Sequence, residues 1–226
     1  MDNGTRDELL SRLAEAVGSV TIAHPTRVAV DGPPAAGKTT LADELAVILR
    51  AQGREIIRVS IESFLFPRSQ RFRRGEYSAE GCYHDGVDYA ALRRVLLDPL
   101  GPGGDRKFQP AIHDKPTDTA LSPAGTTAPA DAVLLFDGVF LLRPELIDAW
   151  DLRIFVSAAF EETLNRARTR DHALYGSVTA VERRFHDRYR PSQQFYNDTV
   201  RPADRADIIV HNDTPQQPAW ELRTPY

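Results

Sequence analysis

Apolar runs alternate with segments of helical period along this chain. In residues 6–17, Leu9, Leu10, Leu13, Ala16 and Val17 fall on one helical face behind a candidate cap at Thr5, which predicts a lead-in amphipathic helix. A short apolar run at 28–30 is followed by a turn-rich stretch. A helical period then runs through Leu41, Leu45, Ile48 and Leu49 and stops before Gly53. Residues 55–60 form the next strand candidate. Strand, turn, helix and strand in so few residues predict the start of a parallel sheet, because parallel neighbours need a crossover connection.

Residues 61–86 hold arginines, aromatics and glycines without a period and read as a long loop with one short helical turn; loops of this length usually carry function in compact enzymes. A helix is predicted at 89–97, ending at Asp98-Pro99. Residues 101–131, rich in Pro, Gly, Thr and Asp, read as an excursion containing a hairpin, since strand-like segments resume beyond it. Residues 132–136 are continuously apolar, as a strand buried on both faces should be. A short helix at 143–150, a strand at 152–156, helices at 161–172 and 178–196 and a final strand at 207–210 complete the reading. The expected architecture is one α/β domain with a parallel sheet flanked by helices. Residues 1–26 form the lead-in, and 61–131 hold excursions from the sheet.

With 226 residues, 42% apolar and 27% charged, the composition is that of a globule able to close one core. The balance of 28 basic against 32 acidic side chains gives a net charge of −4, which argues against a surface built to coat nucleic acid or a membrane but leaves room for a local basic pocket. The single cysteine, Cys82, allows no intramolecular disulfide. The polar N-terminus has no signal-peptide pattern, so a cytoplasmic location is expected. Homo-oligomerisation is left open.

The strongest chemical signal is Gly32-Pro33-Pro34-Ala35-Ala36-Gly37-Lys38-Thr39, a complete G-x-x-x-x-G-K-[ST] between a predicted strand and a predicted helix. Its glycines let the backbone wrap a phosphate, and N–H groups at the helix start point positive dipole ends at it. Lys38 adds a point charge between the terminal phosphates and Thr39 offers a hydroxyl to Mg²⁺. ATP or GTP with Mg²⁺ is therefore the expected ligand. Asp137 ends the apolar run 133–136 and is followed by Gly138, where such proteins place an acid for the metal. Glu62, just beyond the strand at 55–60, is the candidate for orienting an acceptor hydroxyl and taking its proton.

These motifs, in this order, resemble uridine kinase-like enzymes, relatives of pantothenate kinases and phosphoribulokinases. The resemblance rests on the phosphate loop with Thr39-Thr40, V-S-I-E-S-F at 59–64, the segment 83–89, I-H-D-K at 112–115, F-D-G at 136–138 and R-x-R-x-R-D at 166–171; it covers roughly 27–212. It implies a P-loop NTPase fold, a doubly wound parallel sheet with substrate-binding excursions at 61–131 and a lid, here at 171–178, and transfer of a γ-phosphate to a primary hydroxyl of a small molecule, the 5′-OH of a nucleoside in the nucleoside kinases. Glu62 stands where these kinases usually carry aspartate, and Asp137 where they carry glutamate. Each exchange keeps the charge and alters reach by one methylene, and the division of metal and base work between the two is left open.

By the same resemblance, Thr40 joins Gly32, Ala35, Ala36, Gly37, Lys38 and Thr39 at the nucleotide. Arg170 meets the transferring phosphoryl group. Tyr83, Asp85, Phe108, His113 and Arg166 fall at the acceptor, with Asp85 on ribose hydroxyls and Asp88 as a helix cap. Phe108 replaces a tyrosine usual in the family, which favours considering another base or another alcohol. The basic run Arg68, Arg71, Arg73 and Arg74 reads as solvated loop, and Tyr189, Phe195 and Tyr196 as helix-packing residues. Two alternatives stand beside the nucleoside kinase: a kinase of the same fold for pantothenate, a sugar or a cofactor precursor, and a nucleotide-binding regulator without catalysis.

Overall fold

The computed structural model describes residues 1–223. Seven strands form one sheet: β1 (Asp2–Asn3), β2 (Thr26–Asp31), β3 (Ile56–Ser60), β4 (Val133–Gly138), β5 (Leu152–Ser157), β6 (Ile208–His211) and β7 (Ala219–Leu222). Their spatial order is β1-β7-β6-β5-β2-β4-β3. The β3, β4, β2, β5 and β6 strands run parallel, as their apolar runs predict. The two antiparallel strands at the other edge, β7 and β1, depart from the expected all-parallel sheet. Trp220 of β7 is buried there, opposite Asp2.

Alternating residues of the central strands face two cores. On one face Val28, Val30, Val133 and Leu135 pack under α1 (Arg6–Ser19) and α2 (Lys38–Ala51), which bury Leu9, Leu13, Leu41 and Leu45. On the other, Ala29, Leu134 and Phe136 meet Phe64, Leu92, Leu96, Phe140 and Tyr196. Burial on both faces is why β2 and β4 carry no exposed position. The start of α1 is fixed by a capping box, in which the Thr5 side chain accepts from the Glu8 N–H and the Glu8 carboxylate from the Thr5 N–H.

Beyond the sheet, α3 (Phe160–Tyr175) and α4 (Val178–Arg184) form a helical arm joined through Gly176, whose φ of 83° ends the first helix, and Ser177, which caps the second. A π-helical turn, Phe185–Tyr189, links α4 to α5 (Arg190–Val200), so the helix expected at 178–196 is interrupted and runs on to Val200. Residues 171–178 thus comprise the end of α3, this tight turn and the first residue of α4.

The long loop at 61–86 carries more helix than expected: a 3₁₀ turn at Ile61–Phe64 and short helices at Arg68–Arg71 and Ala79–His84. The excursion at 101–131 holds two small antiparallel ladders, Lys107–Phe108 with Thr126–Thr127 and His113–Asp114 with Thr119–Ala120. The helix expected at 143–150 reduces to a 3₁₀ turn at Ile147–Ala149. The Trp150 indole N–H donates to the Leu141 carbonyl at 2.9 Å, folding the segment into turns beneath the core. Among the described residues no helix is long and apolar enough to cross a membrane.

Candidate active site

Parallel strands share one carboxyl edge, so the segments that follow β2, β3, β4, β5 and β6 gather there, and the chain reverses its direction of travel across the sheet beside β2. The phosphate loop leaves β2 with Gly32 at φ 147°, Ala35 at 61° and Gly37 at 96°. A Cβ on Gly32 would meet the Val156 carbonyl oxygen at 2.2 Å and one on Gly37 the Asn212 Nδ2 at 2.5 Å, so neither position accepts a side chain. The loop is braced from behind. Asn212 Nδ2 donates to the Ala36 carbonyl at 2.7 Å, and the Arg166 guanidinium donates to the Ala35 and Ala36 carbonyls at 3.5 and 3.4 Å and to the Asn212 carbonyl at 2.6 Å. Beneath it, the fully buried Asp31 accepts from the Gly32 N–H at 2.7 Å and from the Tyr196 hydroxyl at 2.6 Å; burial pushes its carboxyl above the ordinary range against those bonds.

Lys38 is buried at the head of α2, where its ammonium donates to the Pro33 carbonyl at 2.7 Å. Burial pushes it down to about 8, while Asp137 and Asp31 pull it back up, Arg170 lowers it further and Glu62 raises it. Those four charges are therefore within electrostatic reach of the one lysine. Arg170 is exposed on α3 and held in a two-pronged pair with its neighbour Asp171, at 2.6 and 2.9 Å.

Thr39 donates its hydroxyl to Asp137 Oδ2 at 2.6 Å. Arg58 Nη2 lies 2.8 Å from Asp137 Oδ1, yet no N–H points at that oxygen, which is buried and accepts no hydrogen bond. A hydroxyl and a carboxylate with one unbonded oxygen, next to a phosphate loop, fit Mg²⁺, which takes few protein ligands and completes its shell from phosphates and water. Among the described residues no cluster of three or more metal-ligating acids, histidines or cysteines occurs. Glu62, exposed on the turn after β3, pairs with Lys115 Nζ at 2.5 Å.

The model of the cytidylate kinase-like family matches residues 27–214. The chain belongs to that family. Its fold is shared with three solved structures. A protein of Bacillus stearothermophilus provisionally assigned as a uridine kinase has a TM-score of 0.71 at 20% identity, over 90% of this chain and 97% of that one. A Silicibacter protein provisionally assigned as a fructose transport system kinase gives 0.66 at 23%, over 84% and 93%. The D-glycerate 3-kinase of Cryptococcus neoformans gives 0.50 at 16%, over 84% and 86%. The curated proteins offer no match to the chain. This cytidylate kinase-like chain therefore has the P-loop kinase fold, with a mostly parallel sheet between helices.

On the acceptor side, the side chains of this family member are arranged differently from the sequence expectation. Tyr83 is buried against Phe140 and Tyr196 with the Arg143 guanidinium 4.5 Å from its ring centroid, and Phe108 lies in the same core. Asp85 is buried, and its two oxygens accept from Arg73 at 2.6 Å and Arg74 at 2.7 Å, bonds that hold its carboxyl below the usual carboxylate range and leave it no free oxygen for a ribose. Three members of the basic run are accordingly engaged, since Arg71 is also buried and pairs with Asp118, while Arg68 is exposed as expected. His113 is buried with Nε2 3.1 Å from Asp118 Oδ1 and Nδ1 without a partner. Arg166, expected at the acceptor, has its guanidinium committed to the back of the phosphate loop. Asp88 caps the helix Tyr89–Leu92 as expected, accepting from the Ala91 N–H at 2.8 Å. Cys82 is half-buried, and burial pushes its thiol up, away from nucleophilic character.

Sequence reasoning missed Arg58, which bridges Asp43 and Asp137 at 2.7 and 2.8 Å, and the braces Asn212 and Tyr196. Nothing local marks Arg58, a polar position in an edge strand. Asn212 carried a signal: it follows the last parallel strand at the edge where this architecture binds ligands.

Proposed function

We propose that this protein transfers the γ-phosphoryl group of a nucleoside triphosphate to a hydroxyl of a small molecule with Mg²⁺, the 5′-OH of a nucleoside being the first candidate. The observation that carries the reading is the convergence at one sheet edge of a braced phosphate loop, Lys38, the Thr39–Asp137 pair and Glu62. The loop N–H groups and Lys38 would hold the terminal phosphates, with Thr39, Asp137 and Glu62 around the metal. Mg²⁺, when bound, neutralises charge on the β- and γ-oxygens.

In the transfer step the acceptor oxygen forms a bond to the γ-phosphorus as the bond from that phosphorus to the bridging oxygen breaks. Glu62 takes the hydroxyl proton and the nucleoside diphosphate leaves with the bridging electron pair. Arg170 is within electrostatic reach of Lys38 and Glu62. It exchanges its bond to Asp171 for the developing charge on the phosphoryl group. The turn at Gly176 and Ser177, between two helices of the arm, is where a lid over the nucleotide would sit.

A second acceptor class is favoured by one specific feature: Asp85 is saturated by two arginines, so the ribose-gripping carboxylate of the first reading is not free. A sugar or hydroxy acid kinase of the same fold accommodates that. Nucleoside diphosphate release, measured with ATP and GTP across uridine, cytidine, pantothenate, fructose and glycerate, tests the proposal. Turnover with one acceptor, lost in Lys38→Ala, is the expected result. Tight ATP binding with no release on any acceptor would favour the regulator and overturn the kinase.

A further inference from the structure

β1, α1 and β7 lie outside the span 27–214 that the family model matches, yet they are joined to one another and to the phosphate loop. β1 pairs with β7, Asn3 opposite Ala219, and the Gly4 N–H donates to the Pro218 carbonyl at 3.3 Å. β7 in turn pairs with β6, Ala219 opposite His211, one residue before Asn212. The apolar face of α1, with Leu9, Leu10 and Leu13, shares a core with Leu41 and Leu45 of α2, the helix that opens at Lys38. The N-terminal segment is thus pinned on both sides of Arg6, by the sheet edge before it and by α2 after it.

Arg6 opens α1 and is buried there. A cation in the first turn opposes the positive end of the helix dipole, and burial strips its water, so its place depends on its partners. The guanidinium has two. Nε donates to the Glu44 carboxylate of α2 at 2.7 Å, and Nη1 donates to Oδ1 of Asn212, itself buried, at 3.4 Å. The same amide donates through Nδ2 to the Ala36 carbonyl at 2.7 Å. Arg6, Asn212 and Ala36 therefore form one chain of hydrogen bonds from the N-terminal helix to the phosphate loop.

An amide set between a donor and an acceptor has one favourable orientation. A guanidinium offers only donors, so Arg6 dictates that the Asn212 oxygen faces it; flipped, Asn212 would set Oδ1 against the Ala36 carbonyl and Nδ2 against the cation. The effect carries to the front of the loop through the peptide between Ala36 and Gly37. In a trans peptide the C=O and the N–H point in opposite directions, so holding the Ala36 carbonyl back toward Asn212 holds the Gly37 N–H forward, where a phosphate would lie. Arg166 supports the same carbonyl at 3.4 Å, from α3.

We propose that Arg6 is a positioning residue for nucleotide binding, acting through the Asn212 amide, and that the N-terminal helix is a working part of the cradle. The inference rests on the reading of the loop as a site for a triphosphate.

The full-length protein is titrated calorimetrically with Mg²⁺ and the non-hydrolysable analogue AMP-PNP, in a double-mutant cycle of Arg6→Met and Asn212→Ala. The expected result is a weakening of about tenfold by Arg6→Met alone, and of less than about twofold when residue 212 is already Ala, because the relay is then gone. Leu13→Ala loosens α1 without touching Arg6; it should lower the urea midpoint and leave the affinity within about twofold of the parent. Arg6→Lys keeps a charge beside Glu44 but cannot span both partners, and it takes the place of Arg6→Met in the cycle if that variant does not fold. Unchanged binding in the Arg6 variant, equal weakening in both Asn212 backgrounds, or a loss in Leu13→Ala as large as in the Arg6 variant overturns the proposal. No binding by the parent overturns the cradle reading and this inference with it, whereas an absence of turnover on every acceptor sinks the kinase reading and leaves these affinities standing.

Discussion

Thr39 and Asp137, 98 positions apart in the chain, meet through a hydrogen bond of 2.6 Å at the head of the sheet. The strand that leads into the phosphate loop pairs residue for residue with the strand of Asp137, Val30 opposite Asp137, which brings the start of α2 over that carboxylate. Asp137→Asn keeps the shape and removes the charge. The expected outcome is a fall in kcat of about 100-fold or more, with a higher Mg²⁺ concentration needed for half-maximal rate. Unchanged Mg²⁺ dependence in this variant would remove Asp137 from the metal site.

Glu62→Gln separates binding from chemistry. Glu62 is on the exposed turn after β3 and touches nothing in the phosphate loop, so affinity for ATP should stay within about twofold of the parent. Turnover should fall by about 100-fold or more if Glu62 takes the acceptor proton. Full kcat in a single-turnover assay would reassign the base.

The Lys38 ammonium, pushed down to about 8 by burial, is partly deprotonated in the free protein near that pH. An arriving triphosphate stabilises the charged form and raises the value again, so binding near pH 8 takes up a proton and affinity weakens as pH rises further. Calorimetry at pH 8 in buffers of different ionisation enthalpy reads the uptake, which should vanish well below that pH. Identical heats in every buffer at pH 8 would show that Lys38 does not change its protonation on binding.

Tyr196→Phe tests the support under the loop. It removes the hydroxyl that donates to Asp31 and accepts from the Leu142 N–H, at 2.6 and 2.9 Å. The expected cost is about 1–3 kcal/mol in urea unfolding. Burial raises the Asp31 carboxyl, so its folded form resists ionisation and stability falls as pH rises from the unfolded value through the folded one. The lost hydroxyl favoured the ionised form, so the variant should lose more at neutral than at acidic pH. An equal loss at both would mean Asp31 stays protonated.

The sequence makes local chemistry readable and leaves distant partners hidden. Gly32 to Thr39 could be read because every group it needs lies within one turn and the start of one helix. The five parallel strands could be read because short apolar stretches mark them, most plainly in β4, which is buried on both faces. β1 and β7 could not, since Asp2 and Asn3 are polar and exposed and their pairing with Ala219 and Trp220 is a tertiary fact. The same holds for Asp85, a candidate in the chain whose role turns on two arginines that reach it in space, and for Arg166, whose position on α3 gives no hint of the carbonyls behind the phosphate loop. The helix expected at 143–150 failed because apolar spacing over so short a span serves a set of turns equally well.

The braces behind the phosphate loop have an energetic consequence for whatever binds in front of it. Asn212 and Arg166 tie the loop carbonyls to the last parallel strand and to α3 before any phosphate arrives. The cradle therefore has little conformational entropy left to lose when a triphosphate is captured, and more of the binding free energy remains for moving the helical arm. α3 carries both Arg166, which holds the loop carbonyls, and Arg170, which the proposed function assigns to the phosphoryl group, so a shift of that one helix would move both guanidinium groups together.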